Sequence, residues 1–164
     1  MDDHTFFSGM MGISLFSFFT LFLCCSFVFI PEKAPKPRII VNIATTLVDA
    51  TVAPYDQILP GDTLFFQAGT RDYLLIRNFH GETGNPVVFI NLNGVVIVDT
   101  DNHYGISLQN CRFIKFTGTG SIDRFYGFKI QRVEDGGGLG IGGLSSDVEI
   151  DHFYICLLYT SPSP

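Results

Sequence analysis

Short strands of alternating apolar and polar residues recur between about Thr63 and Ile155, and their spacing constrains this chain more than any other feature. Ile106-Ser107-Leu108-Gln109, Phe128-Lys129-Ile130-Gln131 and Val148-Glu149-Ile150-Asp151 follow one another after 22 and then 20 residues. Units of that size are too small to bury their own apolar face and must stack on their neighbours, as the coils of a solenoid do.

Side chains on a strand alternate between its two faces. Stacking the three strands therefore sends Ile106, Phe128 and Val148 inward as one column and Leu108, Ile130 and Ile150 as a second. Ser107, Lys129 and Glu149 then face outward beside Gln109, Gln131 and Asp151. A slip of one residue would bury the polar set, which is expensive for unpaired charges. A second series, Leu64-Phe65-Phe66, Val87-Val88-Phe89 and Phe113-Ile114-Lys115-Phe116, has steps of 23 and 26 residues. Two interleaved series of similar period are what a coil with more than one sheet per turn gives. Pro60-Gly61-Asp62, Gly69-Thr70, Gly81 to Pro86, Asn93-Gly94 and Gly118 to Gly120 read as the turns between strands. The competing architecture is an antiparallel sandwich, because Asn93-Gly94 between apolar runs is also a hairpin signal.

Both ends of the 164-residue chain differ in character from this region. Met10 to Ile30 is apolar and uncharged over 21 residues, long enough to span a bilayer, and Pro31 to Pro37 is proline-rich. The run fits either a secretory signal peptide or an uncleaved signal anchor. The basic residues Lys33, Lys36 and Arg38 follow it rather than precede it. Leu21 to Ser26 also resembles a degenerate lipoprotein box, with Cys24 or Cys25 as the acceptor. At the other end, Cys156 to Pro164 resembles the in-frame translation of a transposase-type sequencing adapter, and is expected to be a non-native tail. The expected organisation is a leader at 1–30, a linker and N-terminal cap at 31–57, coils at 58–155 and the tail at 156–164.

Setting leader and tail aside leaves Cys111 as the one cysteine of the body, so no internal disulfide is available. Cys111 reads as a small packed residue rather than a nucleophile. The net charge is −6, and no basic cluster or basic-aromatic interleaving would track phosphates. Nucleic acid is therefore excluded as a partner class, and any contact with a membrane is expected only through the N-terminal apolar segment.

The segments Ile58-Leu59-Pro60-Gly61-Asp62-Thr63-Leu64, Ala68-Gly69-Thr70 and Gly81 through Asn85-Pro86-Val87, with Phe89 and Ile90, resemble the opening coils of right-handed parallel β-helix proteins of the pectate-lyase-like superfamily. Chondroitinase-B-like and alginate-lyase-like polysaccharide lyases are the nearest likeness. The resemblance covers about Ile58 to Ile155. It implies an all-β, right-handed parallel β-helix, secreted or at the cell surface, monomeric when full length and acting on polysaccharide. A short helix capping the first coil is expected at Thr45 to Thr51. The chemistry implied is β-elimination by a Lys or Arg base, with Ca²⁺ held by carboxylates on adjacent coils. In the family those residues come mainly from middle coils, so no catalytic residue carries over by position. A lyase or hydrolase is one functional class; a non-catalytic carbohydrate-binding or adhesin-like scaffold is the other.

Candidate substrate-binding residues come from the strand alignment. It sets Lys129 beside Glu149, Gln131 beside Asp151, and Arg132 above His152 at the following corner. Such a patch suits a sugar acid, and equally a solvated outer face held by cross-strand ion pairs. Glu134 to Gly143 is glycine-rich but lacks the Gly-Lys-Ser/Thr ending of a phosphate loop, and reads as an excursion between coils. His80 and His103, isolated in turns, read as surface histidines.

Overall fold

A computed structural model describes residues 38–134 and 136–156. The expected leader, with Cys24 and Cys25, and residues 157–164 of the expected tail lie outside the described residues. The strands are β1 (Ile39–Val41), β2 (Leu47–Asp49), β3 (Thr63–Arg71), β4 (Leu74–Arg77), β5 (Val87–Thr100), β6 (Tyr104–Gln109), β7 (Arg112–Thr117), β8 (Phe128–Val133), β9 (Gly137–Gly142), β10 (Ser146–Asp151) and β11 (Phe153–Ile155). Every pairing between these strands is parallel. The chain is a β-solenoid of about four turns. The sandwich is thereby ruled out, and Asn93-Gly94 is a corner inside the continuous strand β5 rather than a hairpin.

Each coil has three faces. The first stacks β1, the start of β3, the start of β5, β7 and β10. The second stacks the ends of β3 and β5 with β8 and β11. The third stacks β2, β4, β6 and β9. β3 passes from the first face to the second through a register shift between Gln67 and Gly69.

This register corrects the alignment expected from sequence. Ile106, Phe128 and Val148 belong to β6, β8 and β10, and so to three different faces. Their inward orientation holds. Ile106, Leu108, Phe128 and Ile130 are fully buried, and Val148 and Ile150 pack against the core. The columns differ from the expected ones because alternation looks the same on every face. The second series does share one face, but Leu64 pairs with Phe89, two positions beyond Val87. The true stacked columns are Leu64–Phe89–Phe116–Ile150 on the first face, Val96–Phe128–Phe153 on the second and Val48–Ile76–Leu108 on the third, the last continued in register by Ile141, which is exposed.

Phenylalanines from two faces meet inside the coil. Phe116 lies 5.7 Å from Phe66, 4.8 Å from Phe128 and 4.9 Å from Phe153, centroid to centroid. Burying each ring contributes about 1.5–3 kcal/mol, and the edge-to-face geometry of the Phe128 and Phe153 contacts adds to this.

Two polar side chains that enter the interior are held by main-chain partners, although Arg71 Nε is left without one. Asn91, buried at the corner between the first and second faces, donates to the Gly94 carbonyl at 2.6 Å and accepts from the Gly120 amide at 2.8 Å. Arg71 is buried at the N-terminal coils, where its two terminal nitrogens donate to Asn42 and Thr45 carbonyls. Burial pushes its guanidinium down to about 10.

Three further expectations change. Thr45 to Thr51 does not form a helix: it contains β2, whose Val48 is fully buried against Ile76 of β4. Parallel pairing outweighs the weak helical tendency of this β-branched stretch. The first described strand, β1 at Ile39–Val41, already pairs with β3 inside the region expected as linker and cap. The glycine-rich segment is not a free excursion, since Gly137–Gly142 is β9 and pairs with β6. Main-chain hydrogen bonds do not depend on side chains, and Leu139 and Ile141 supply the apolar alternation. Cys111 is fully buried, and that burial pushes its thiol up. His80 and His103 are exposed.

Candidate functional site

The outward side of the first face carries a compact charged cluster where β7 and β10 pair. Ile114 and Phe116 point into the core, which forces Lys115 outward, and the register sets Lys115 opposite Glu149 and Thr117 opposite Asp151. The Lys115 ammonium lies 2.9 Å from Glu149 Oε1 and 3.8 Å from Asp151 Oδ2. Asp151 also accepts from the Thr117 hydroxyl and sits 2.6 Å from His152 Nδ1. Thr119 extends the chain of hydroxyls, 3.1 Å from Thr117.

The electrostatics follow from these contacts. Burial alone would raise the Asp151 carboxyl, but hydrogen bonds from Thr117 and His152 and the charges of His152 and Lys115 outweigh it and hold it below the usual carboxylate range. The hydrogen bond and charge of Glu149 push the Lys115 ammonium up. Lys115 is therefore a fixed cation at neutral pH, suited to binding rather than to removing a proton. His152 occupies the left-handed region, φ 55°, at the corner between β10 and β11.

A second cluster lies on the outward side of the second face, centred on Arg132. Its guanidinium is 2.7 Å from Asp99, bonds Asp101 and lies 3.7 Å from Glu134. Gln131 donates to Asp99 at 3.3 Å, and Lys129 donates to Gln131 at 3.0 Å. Three carboxylates leave Arg132 little freedom to meet a ligand.

The patch expected from sequence thus joins two groups that the fold separates. Glu149, Asp151 and His152 belong with Lys115 and Thr117, whereas Lys129, Gln131 and Arg132 belong with Asp99 and Asp101. Lys129 does not stack on Glu149: its register partners are Ile97 and Tyr154. Gln131 does not stack on Asp151, nor Arg132 on His152, because those pairs sit on different faces. Lys115 is absent from the expected patch although its position, polar between two inward apolar residues, marks it as outward. What hides it is the 34-residue separation from Glu149, a coil lengthened by the loop from Gly118 to Gly127.

Family models, curated proteins and solved structures offer this chain no relative. Fold and site therefore rest on this chain's own register and contacts.

A calcium ion, implied by the family resemblance, does not fit these residues. Among the described residues no group of three or more His, Cys, Asp or Glu side chains converges as a metal site. The carboxylates of both clusters point at cations already, Lys115 in one and Arg132 in the other.

No described helix is long and apolar enough to cross a membrane.

Proposed function

We propose that this chain is the solenoid of a secreted or cell-surface protein that binds extracellular polysaccharide along the outward side of its first face. The observation that carries this reading is Lys115 held between Glu149 and Asp151, with Thr117 and His152 alongside. The cluster presents a fixed cation, two carboxylates and an imidazole on a rigid sheet, with the buried Thr117 hydroxyl holding Asp151 in place. Adjacent rows are about 4.8 Å apart, a flat array of donors and acceptors that suits the hydroxyl and acid groups of a linear sugar chain. Resemblance to pectate-lyase-like β-helix proteins points to the same class of ligand.

Retardation of the chain in native gels cast with polygalacturonate, alginate or hydroxyethylcellulose tests this. Lys115→Met, Asp151→Asn and His152→Ala are expected to abolish retardation that the parent chain shows. Equal retardation of the parent and all three variants would move the site elsewhere.

A second reading is cleavage by a lyase or hydrolase, which the same resemblance implies. The protonated state of Lys115 disfavours it as an eliminating base, so this reading requires a base outside the cluster. Release of unsaturated products from polygalacturonate or alginate with calcium supplied, followed by ultraviolet absorbance, tests it. No release leaves the non-catalytic binding scaffold.

A further inference from the structure

The loop between β7 and β8 combines a tied stem with an unpacked tip. At the stem, the Gly118 amide donates to the Asp151 carbonyl at 3.1 Å and the Gly127 amide to the His152 carbonyl at 3.0 Å, while the Gly127 carbonyl accepts from Val96 at 2.8 Å. The Gly120 amide is bound by the buried side chain of Asn91. A Cβ at Gly118 would collide with the His152 carbonyl oxygen, and one at Gly127 with the Asn91 side chain. Only glycine allows the chain to pass this closely. The stem therefore rises from the two residues that end the charged cluster.

The tip does the opposite. Ile122 and Phe125 are 101% and 96% exposed and contribute nothing to the core. With Asp123 and Arg124 they line an open surface concavity of about 310 Å³. Asp123 and Arg124 form no ion pair among the described residues. Ile122 and Phe125 lie three residues apart on one tip with Asp123 and Arg124 between them, a small apolar surface with charge of both signs at its edge.

We infer that this tip is a second contact point for the sugar chain, taking one pyranose unit with its C–H face against Phe125 and its hydroxyls on Asp123 and Arg124. The inference rests on the polysaccharide reading and deepens it. A cation and an anion beside an aromatic ring match an amphipathic, polyhydroxylated ring. A membrane surface fits worse: interfacial binding calls for an excess of basic residues, whereas the chain has net charge −6 and the tip has Asp123 between its apolar residues.

The test compares Phe125→Ala, Arg124→Ala and Lys115→Met in the full chain, with dissociation constants from retardation in gels containing polygalacturonate, alginate or hydroxyethylcellulose. Phe125 is exposed, so far-ultraviolet circular dichroism of Phe125→Ala should match the parent. Phe125→Ala is expected to weaken binding about tenfold, the scale of one anchoring aromatic side chain, and Arg124→Ala to weaken it as well. Parent-like affinity of Phe125→Ala alongside weakened Lys115→Met overturns the inference and leaves the polysaccharide reading intact. No retardation of the parent in any of the three gels overturns both. Phe125-dependent flotation with phosphatidylcholine–phosphatidylglycerol vesicles overturns the sugar assignment in favour of lipid.

Discussion

The Asn110 side-chain amide donates to Asn78 Oδ1 at 2.9 Å, from one coil to the next along the same corner. Asn78 in turn donates to Asp49 Oδ1 at 2.9 Å, and Arg77 reaches the other Asp49 oxygen at 2.6 Å. Both asparagines are left-handed, with φ of 66° and 51°, and Gly143 continues the corner with φ 64°. Asparagine tolerates this conformation better than most residues because its side chain bonds locally. The ladder thus supplies the turn geometry and ties three coils together.

Replacing the middle rung separates these two roles. Asn78→Gly keeps the positive φ and loses the amide, whereas Asn78→Ala loses both. Asn78→Gly is expected to cost about 1–3 kcal/mol from unpaired, part-buried polar groups, and Asn78→Ala more, in denaturant titrations.

Acid should weaken the fold through Asp49. Burial alone would raise its carboxyl, but hydrogen bonds from Asn78, Thr51 and Arg77 outweigh this and hold it well below the usual carboxylate range. A depressed folded value contributes stability that is complete above the unfolded value of about 3.9 and is lost as pH falls from there toward the folded value. Melting temperatures measured from pH 7 downward should therefore drop below about pH 4. Asp49→Asn should be less stable at pH 7 and show a shallower acid decline. An unchanged acid decline would assign it to other carboxylates, such as Asp72, held low by Thr100.

Phe116→Ala opens the centre of the aromatic cluster, because Phe116 contacts Phe66, Phe89, Phe128 and Phe153. A loss of about 3–5 kcal/mol is expected, a large share of the stability of a small domain. Equilibrium unfolding in urea measures it.

Two glycines of the coil should respond to alanine with opposite sign. Gly140 lies in β9, and a methyl group added there would meet nothing within 4 Å, so Gly140→Ala is expected to stabilise by up to about 1 kcal/mol. Gly118→Ala forces the stem of the β7–β8 loop off the Asp151–His152 corner and should lower the unfolding midpoint. Thermal melts of the two variants beside the parent decide the signs.

Much of the fold is legible before any coordinates. The inward set Ile106, Leu108, Phe128 and Ile130 follows from alternation alone, because side-chain direction on a strand depends only on residue parity. The candidate site is half legible. Glu149, Asp151 and His152 come together, but their partner Lys115 lies 34 residues before Glu149 and shares no local pattern with it. Lys129, Gln131 and Arg132 satisfy the same outward parity and still belong to another face.

Strand alternation and turn residues, each a matter of a few neighbouring positions, were enough to tell which residues face inward and where glycine and asparagine turn corners; that the strands run parallel as coils rather than antiparallel as a sandwich came from the pairing. The tertiary structure alone decided which strands lie on which face, and so which outward charges meet. Coil length carries that information, and it varies with loops such as Gly118 to Gly127 that leave no trace in strand periodicity. A stacked pair is set by the whole path between its members.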